Sequence, residues 1–196
     1  MATATSTTDT RSVAELTTAL FGEALSIDEV LARLELIDIS APRSVNAATG
    51  LWLGSVGYEL HKDHVAFARH IRAAGVERLI DVRELPISRR RGYAKSALGQ
   101  AMADVGVEYV HIKALGNPKP FRNLYKTGNV EEGRRRYEEH LLGQERETLE
   151  RLVPMLQEKR CALMCVEHDP ATCHRTVILD VLRSELGLEL DVAEIS

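Results

Sequence analysis

Four short apolar runs punctuate the chain: Leu51 to Val56, Val76 to Val82, Val107 to Ile112 and Arg160 to Val166. Runs this short, bounded by turn residues, predict strands, the last of them strongly buried. Between them apolar residues recur at helical spacing. Asp63 to Ala74 carries Val65, Ala68 and Ile71, with Gly75 where a C-terminal cap belongs. Ser96 to Val105 ends at Gly106, and two charged helices are predicted at about Val130 to Leu142 and Glu145 to Gln157. A helix from Pro170 to Leu186 and a last strand from Glu189 to Ile195 follow. Strands alternating with helices predict an α/β fold, a mostly parallel Rossmann-like sheet flanked by helices, over residues 49–196. Upstream, residues 1–12 read as a disordered tail. Residues 13–48 read as a helical hairpin and linker, with Ser26 and Glu29 as a capping box and Pro42 and Asn46 in the linker.

Composition narrows the class. The 196 residues are 44% hydrophobic and 28% charged, which fits a globular protein long enough to build its own core. No apolar stretch approaches membrane-spanning length, and the opening MATATSTTDTR lacks a secretory core, so no membrane partner and a cytoplasmic location are expected. Three cysteines without paired spacing agree with a reducing compartment. A net charge of -4 argues against a nucleic-acid coat but allows a local basic patch, and 5% aromatic residues is too few for a base-stacking platform.

In such sheets the ligand crevice lies beyond the carboxyl ends of the strands, so residues there are the candidates. The second strand ends in Asp81-Val82-Arg83. Period-two alternation puts both charges on one side, where they can pair with each other or hold a ligand. Arg89, Arg90 and Arg91 follow as a run that is either solvated or an anion site. Lys113, Lys119 and Arg122 lie in a loop punctuated by Gly116, Pro118 and Pro120. Arg134, Arg135 and Arg136 read as a solvated face neutralised by neighbouring glutamates.

The fourth strand carries the sharpest signal. Cys161 reads as a core thiol, while Cys165 and Glu167 share one side of the strand exit. Asp169 then suits an N-cap and Pro170 a first helical position. Cys173 and His174 fall on the apolar face of that helix, so core packing is the simplest role for them. The chemical alternative makes Cys165 or Cys173 a nucleophile and Glu167 or His174 a proton carrier. Metal binding by Cys165, Cys173 and His174 ranks third, because the spacing matches no common zinc pattern and lacks a fourth ligand. No metal or cofactor is therefore expected. Arg175 in the first helical turn opposes the helix dipole and should meet a carboxylate, such as Glu167 or Asp169, or an anionic ligand.

These strand-end segments resemble the bacterial and archaeal family catalogued as domain of unknown function 488. The matching elements are Ser55-Val56-Gly57-Tyr58-Glu59, Gly75 through Arg83, Pro86 with Ser88-Arg89-Arg90, Gly106 through His111, Leu115-Gly116-Asn117-Pro118, Leu163 through Glu167, and Asp169-Pro170 with Cys173-His174-Arg175. The resemblance covers roughly Leu51 to Leu186. It departs where Ser55-Val56 replaces the family's Thr-Ile, and where the last strand lacks the histidine of many members. It implies an α/β fold and a shared pocket, but no particular reaction.

Two functions from different classes follow. In the first, the chain is an enzyme on an anionic, phosphate-bearing or nucleotide-like substrate. Asp81, Arg83, Arg89, Arg90, Lys113 and Arg175 form the binding side, with Arg83 and Arg175 holding the anion. In the second it is a non-catalytic module binding nucleotide or nucleic acid, for which affinity would fall steeply with salt. The oligomeric state is not legible.

Overall fold

The computed structural model describes residues 50–196; the expected tail, hairpin and linker upstream lie outside the described residues. Five strands form one sheet: β1 Leu51–Gly57, β2 Arg78–Asp81, β3 Glu108–His111, β4 Cys161–Cys165 and β5 Leu190–Ile195. Their order across the sheet is β3-β2-β4-β1-β5, and every neighbouring pair is parallel. Six helices flank it: α1 His64–Ala73, α2 Lys95–Asp104, α3 Lys119–Lys126, α4 Val130–Gln144, α5 Arg146–Glu158 and α6 Arg175–Ser184. No described helix is long and apolar enough to cross a membrane.

Side-chain alternation along β4 divides the core. Cys161, Leu163 and Cys165 face α4, α5 and α6, meeting Tyr137, Leu152 and Ile178. Ala162 and Met164 face α1 and α2, meeting Phe67, Ile71 and Met102. β4 is therefore fully buried on both faces, which is why its sequence is an unbroken apolar run. The same alternation aims Cys165 at the layer that contains α6.

Two elements differ from the sequence expectation. Lys119–Lys126, expected as loop, is a helix, because Pro120 falls in its first turn, where no N–H is needed. The helix expected from Pro170 is broken. Asp169 caps only a single 3₁₀ turn, Pro170–Thr172, accepting from the Ala171 N–H at 2.8 Å. Cys173 is then extended (φ -116, ψ 144), and α6 starts at Arg175 with His174 as its N-cap.

Candidate functional site

The exit of β4 is pinned by its neighbour. The Tyr58 N–H donates to the Cys165 carbonyl at 3.3 Å and the Glu59 N–H to the Val166 carbonyl at 2.9 Å, so pairing with the β1 segment continues past the strand ends. Gly57 makes that approach feasible: a Cβ there would stand 1.8 Å from the Glu167 carbonyl oxygen. Backbone geometry thus sets where Glu167 points.

The break in the following helix brings the second half of the site into place. With Cys173 extended and His174 at the N-cap, both side chains turn toward the end of β4. Four groups meet there. The Cys165 thiol donates to Glu167 Oε2 at 3.0 Å, and Cys173 Sγ lies 3.4 Å from the same oxygen. His174 Nδ1 is 3.7 Å from Cys165 Sγ and 3.9 Å from Cys173 Sγ. His174 Nε2 sits 2.9 Å from the Val82 carbonyl at the exit of β2. A carbonyl only accepts, so Nε2 carries the ring proton of the neutral imidazole and Nδ1 presents its lone pair to the sulfurs.

Charge is distributed unevenly over this cluster. Burial pushes the Cys173 thiol up, but hydrogen bonds with Cys165 and His174, and the charges of His174 and Arg175, hold it well below its ordinary value. Cys165 moves the other way, raised by its bond to Cys173, by burial and by the neighbouring negative groups. Glu167 is raised by burial and then by Cys173. For His174, burial pulls the pKa down, but the bond to Cys173 and that group's charge outweigh it and raise it. The two thiols are thus shifted in opposite directions by the neighbours they share.

Beneath the cluster lies Arg175, with 0% exposure. Its Nε donates to Cys173 Sγ at 3.2 Å and one terminal nitrogen to the Glu167 backbone carbonyl at 2.8 Å. The partners are a sulfur and a carbonyl; the carboxylate side chain, one of the two partners the sequence suggests beside an anionic ligand, is not among them. Its other terminal nitrogen has no partner among the described residues.

Above the cluster opens a cleft of about 520 Å³, within the range of small-molecule sites. Cys165, Glu167 and His174 line it, together with Arg83, Asn117, Arg122, Tyr125 and Lys126; Leu85 and Ile87 form its exposed apolar lip. Arg122 pairs with Glu84 at 2.8 Å. Asn117 Oδ1 and the Tyr125 hydroxyl are buried without hydrogen-bond partners among the described residues.

The expected binding residues separate into two groups. Arg83 reaches the cleft but is closely held. Its Nε donates to both Asp81 oxygens at 2.8 and 3.0 Å, and a terminal nitrogen to Asp81 at 2.6 Å. The other terminal nitrogen meets the Tyr58 hydroxyl and the Tyr93 carbonyl. Asp81 also accepts from the Tyr109 hydroxyl. Arg89, Arg90 and Lys113 are exposed and do not line the cleft, and Arg90 instead donates to the Tyr58 and His61 carbonyls. Cys161 is a core thiol against the Met155 carbonyl. Arg135 and Arg136 pair with glutamates on their own helix, but Arg134 is half-buried and donates to the Ala171 carbonyl.

Tyr125 and Lys126 were not among the sequence candidates. Their signal was present: Arg122, Tyr125 and Lys126 sit at i, i+3 and i+4, one face of a helix.

The sequence profile of a family described as "Domain of unknown function DUF488" matches residues 64–182, more than half the chain and the whole span from α1 through the Cys165–Arg175 cluster. No curated protein and no solved structure matches.

Proposed function

The chain belongs to the DUF488 family, which carries no assigned reaction, and we propose that its strand-end cleft is the active site of an enzyme acting on a small anionic molecule. One observation carries the reading. A thiol, a carboxyl and an imidazole are presented together on the floor of a cleft whose wall supplies Arg83, Arg122 and Lys126. Groups able to attack, to protonate and to bind charge then converge on one volume, which is the arrangement a polar reaction requires. Asn117 and Tyr125, with unmet hydrogen-bonding capacity, would orient the substrate.

The anionic group lies against Lys126 and Arg122, and Arg83 contributes its rigid, Asp81-held guanidinium. Arg175 acts from below, through Cys173 and the Glu167 backbone, instead of touching substrate. The three cysteines, unbridged and buried, fit work in a reducing compartment such as the cytoplasm.

The test is anion binding followed by calorimetry and thermal shift, with inorganic phosphate and a nucleoside monophosphate as probes. Lys126→Ala and Arg122→Ala should each weaken binding roughly 10- to 100-fold, the worth of a charge-assisted hydrogen bond. Arg89→Ala, outside the cleft, should leave it unchanged. An equal loss in Arg89→Ala, or no stabilisation of the wild type by either probe, would remove the cleft as the anion site.

A further inference from the structure

We propose that Cys165, Glu167, Cys173 and His174 together bind one divalent metal ion of the zinc type, at the floor of the cleft. Their ligand atoms all lie within 4.8 Å of one another. A tetrahedral zinc ion, with bonds of about 2.3 Å to sulfur and about 2.0–2.1 Å to nitrogen or oxygen, spaces its ligand atoms about 3.5–3.8 Å apart. The observed separations of 3.0, 3.4, 3.7 and 3.9 Å bracket those edges. The widest separation, up to 4.8 Å, has to close by about 1 Å to admit an ion.

Three further observations point the same way. The first is the orientation of His174. Metal-binding histidines commonly donate their other ring N–H to a carbonyl or carboxylate, which fixes the ring and leaves one lone pair for the metal. His174 has that geometry, with Nε2 at 2.9 Å from the Val82 carbonyl and Nδ1 toward both sulfurs.

The second is the state of Glu167. Apart from its own backbone N–H, its side chain meets the two cysteine sulfurs, and thiols are weak donors. A largely enclosed carboxyl with such partners is poorly satisfied by the protein alone, and a cation would complete it. Pure core packing gives no reason to put a carboxylate there.

The third is charge. Two thiolates and a carboxylate around a divalent ion leave one net negative charge. Arg175, fully buried and donating to Cys173 Sγ at 3.2 Å, balances it. A buried cation otherwise lacking a carboxylate partner thereby gains a counter-charge.

The donor set selects the class of metal. Two soft sulfurs with one nitrogen and one oxygen favour zinc, and cobalt as its substitute, over magnesium or calcium. The sequence hides the pattern because its ligands come as Cys-x-Glu and Cys-His, without the usual paired spacing. Adjacent residues Cys173 and His174 can both contribute because the chain is extended at the first and turns into α6 at the second. Cys165, Glu167 and His174 border the cleft and Cys173 would hold the ion from behind, four protein ligands completing the tetrahedron. The site shares the cleft with the active-site reading but replaces part of it, because side chains bound to the ion are no longer free to attack or protonate a substrate.

The experiment is a cobalt titration of the purified full chain, reduced and dialysed against a chelator, followed by displacement with zinc. One cobalt per chain should bind, with sulfur-to-metal charge-transfer absorption and the intense visible bands of tetrahedral cobalt. Cys165→Ser and Cys173→Ser should each lose charge-transfer intensity and about two orders of magnitude in affinity. Glu167→Gln should keep the charge transfer but shift the visible bands, and Cys161→Ser should match the wild type.

Should either cysteine variant not fold, the wild type decides. Zinc must slow reaction of Cys165 and Cys173 with a disulfide reagent, and unaltered rates would overturn the proposal. Substoichiometric cobalt, or cobalt bound without sulfur charge transfer, would overturn it as well. Phosphate binding measured in the same sample separates the two readings. A chain that binds phosphate but no cobalt keeps the anion cleft and loses the metal. A chain that binds cobalt but no phosphate does the reverse.

Discussion

Asp81 and Arg83, two residues apart where β2 leaves the sheet, close a bidentate ion pair whose side chains are 0% and 3% exposed. The Arg83 backbone N–H also donates to Asp81 Oδ1 at 3.0 Å, so one carboxylate fixes both the turn and the guanidinium above it. Removing one member leaves a buried charge without its partner. Asp81→Asn should therefore cost about 3–5 kcal/mol in urea unfolding. The double change Asp81→Asn with Arg83→Met should cost less than the sum of the single changes, because the stranded charge goes too. Additive losses would mean that the pair is not energetically coupled.

Glu108 gives an acid-side signature. Hydrogen bonds from Lys159 and Arg78 hold its carboxyl below the ordinary 4.5. A depressed folded-state pKa contributes stability that is present above the unfolded value and is lost as pH falls through the folded one. Glu108→Gln should flatten the loss of stability as pH falls through and below 4.5. The effect will be modest, since Glu108 is 40% exposed and solvent screens the pair. Parallel wild-type and variant curves over that range would show that Glu108 contributes nothing to the acid limb.

Cys161 makes the opposite prediction at high pH. Burial pushes its thiol up to about 11 from 9.0. At neutral pH that leaves about a hundredfold less thiolate than an ordinary cysteine, so alkylation of native protein should spare Cys161. The stability gained by keeping this thiol neutral is complete below pH 9.0 and lost as pH rises toward about 11. Mass spectrometry after a short alkylation pulse checks the first statement. Early labelling of Cys161 would show that the α5–β4 core opens locally.

Gly57 can be tested by the smallest substitution. A methyl group in Gly57→Ala would meet the Glu167 carbonyl oxygen at 1.8 Å and the His168 Cα at 2.7 Å, both backbone atoms. The chain must move, and the cost should reach the upper end of the overpacking range, about 3 kcal/mol. A variant with an unchanged urea midpoint would show that the β4 exit yields freely.

Much of this architecture is legible from residue pattern. The strands can all be placed to within a residue or two, the buried β4 most plainly because it is an unbroken apolar run, and alternation puts Asp81 and Arg83 on one side, where pairing is one of two readings. The site was only half legible. Cys165 and Glu167 share a strand exit and are therefore readable as neighbours. Their meeting with Cys173 and His174 depends on a helix that stops after one turn, although Asp169 and Pro170 supply good starting signals. Local propensity favoured continuation there. The local bond from Thr176 Oγ1 to the Pro170 carbonyl at 2.6 Å favours the break, and so does the fit of Cys173 against the sheet, which is a tertiary fact. Helix α3 was obscured differently, by Gly116, Pro118 and Pro120 clustered around its start.

The strand order has a consequence for how the chain matures. β1 pairs only with β4 and β5, and β2 reaches β1 only through β4. During synthesis the first two strands must wait without a shared neighbour until residues 161–165 have emerged, and only β2 and β3 can pair before that. Contacts spanning so much sequence form slowly. The strand that joins the two parts of the sheet is also the one that delivers Cys165, so this thiol is fixed in place by the same late event that makes the domain cohesive. A chain that stalled before β4 would expose two apolar strands and possess no site at all, which ties the chemistry of this protein to its full assembly.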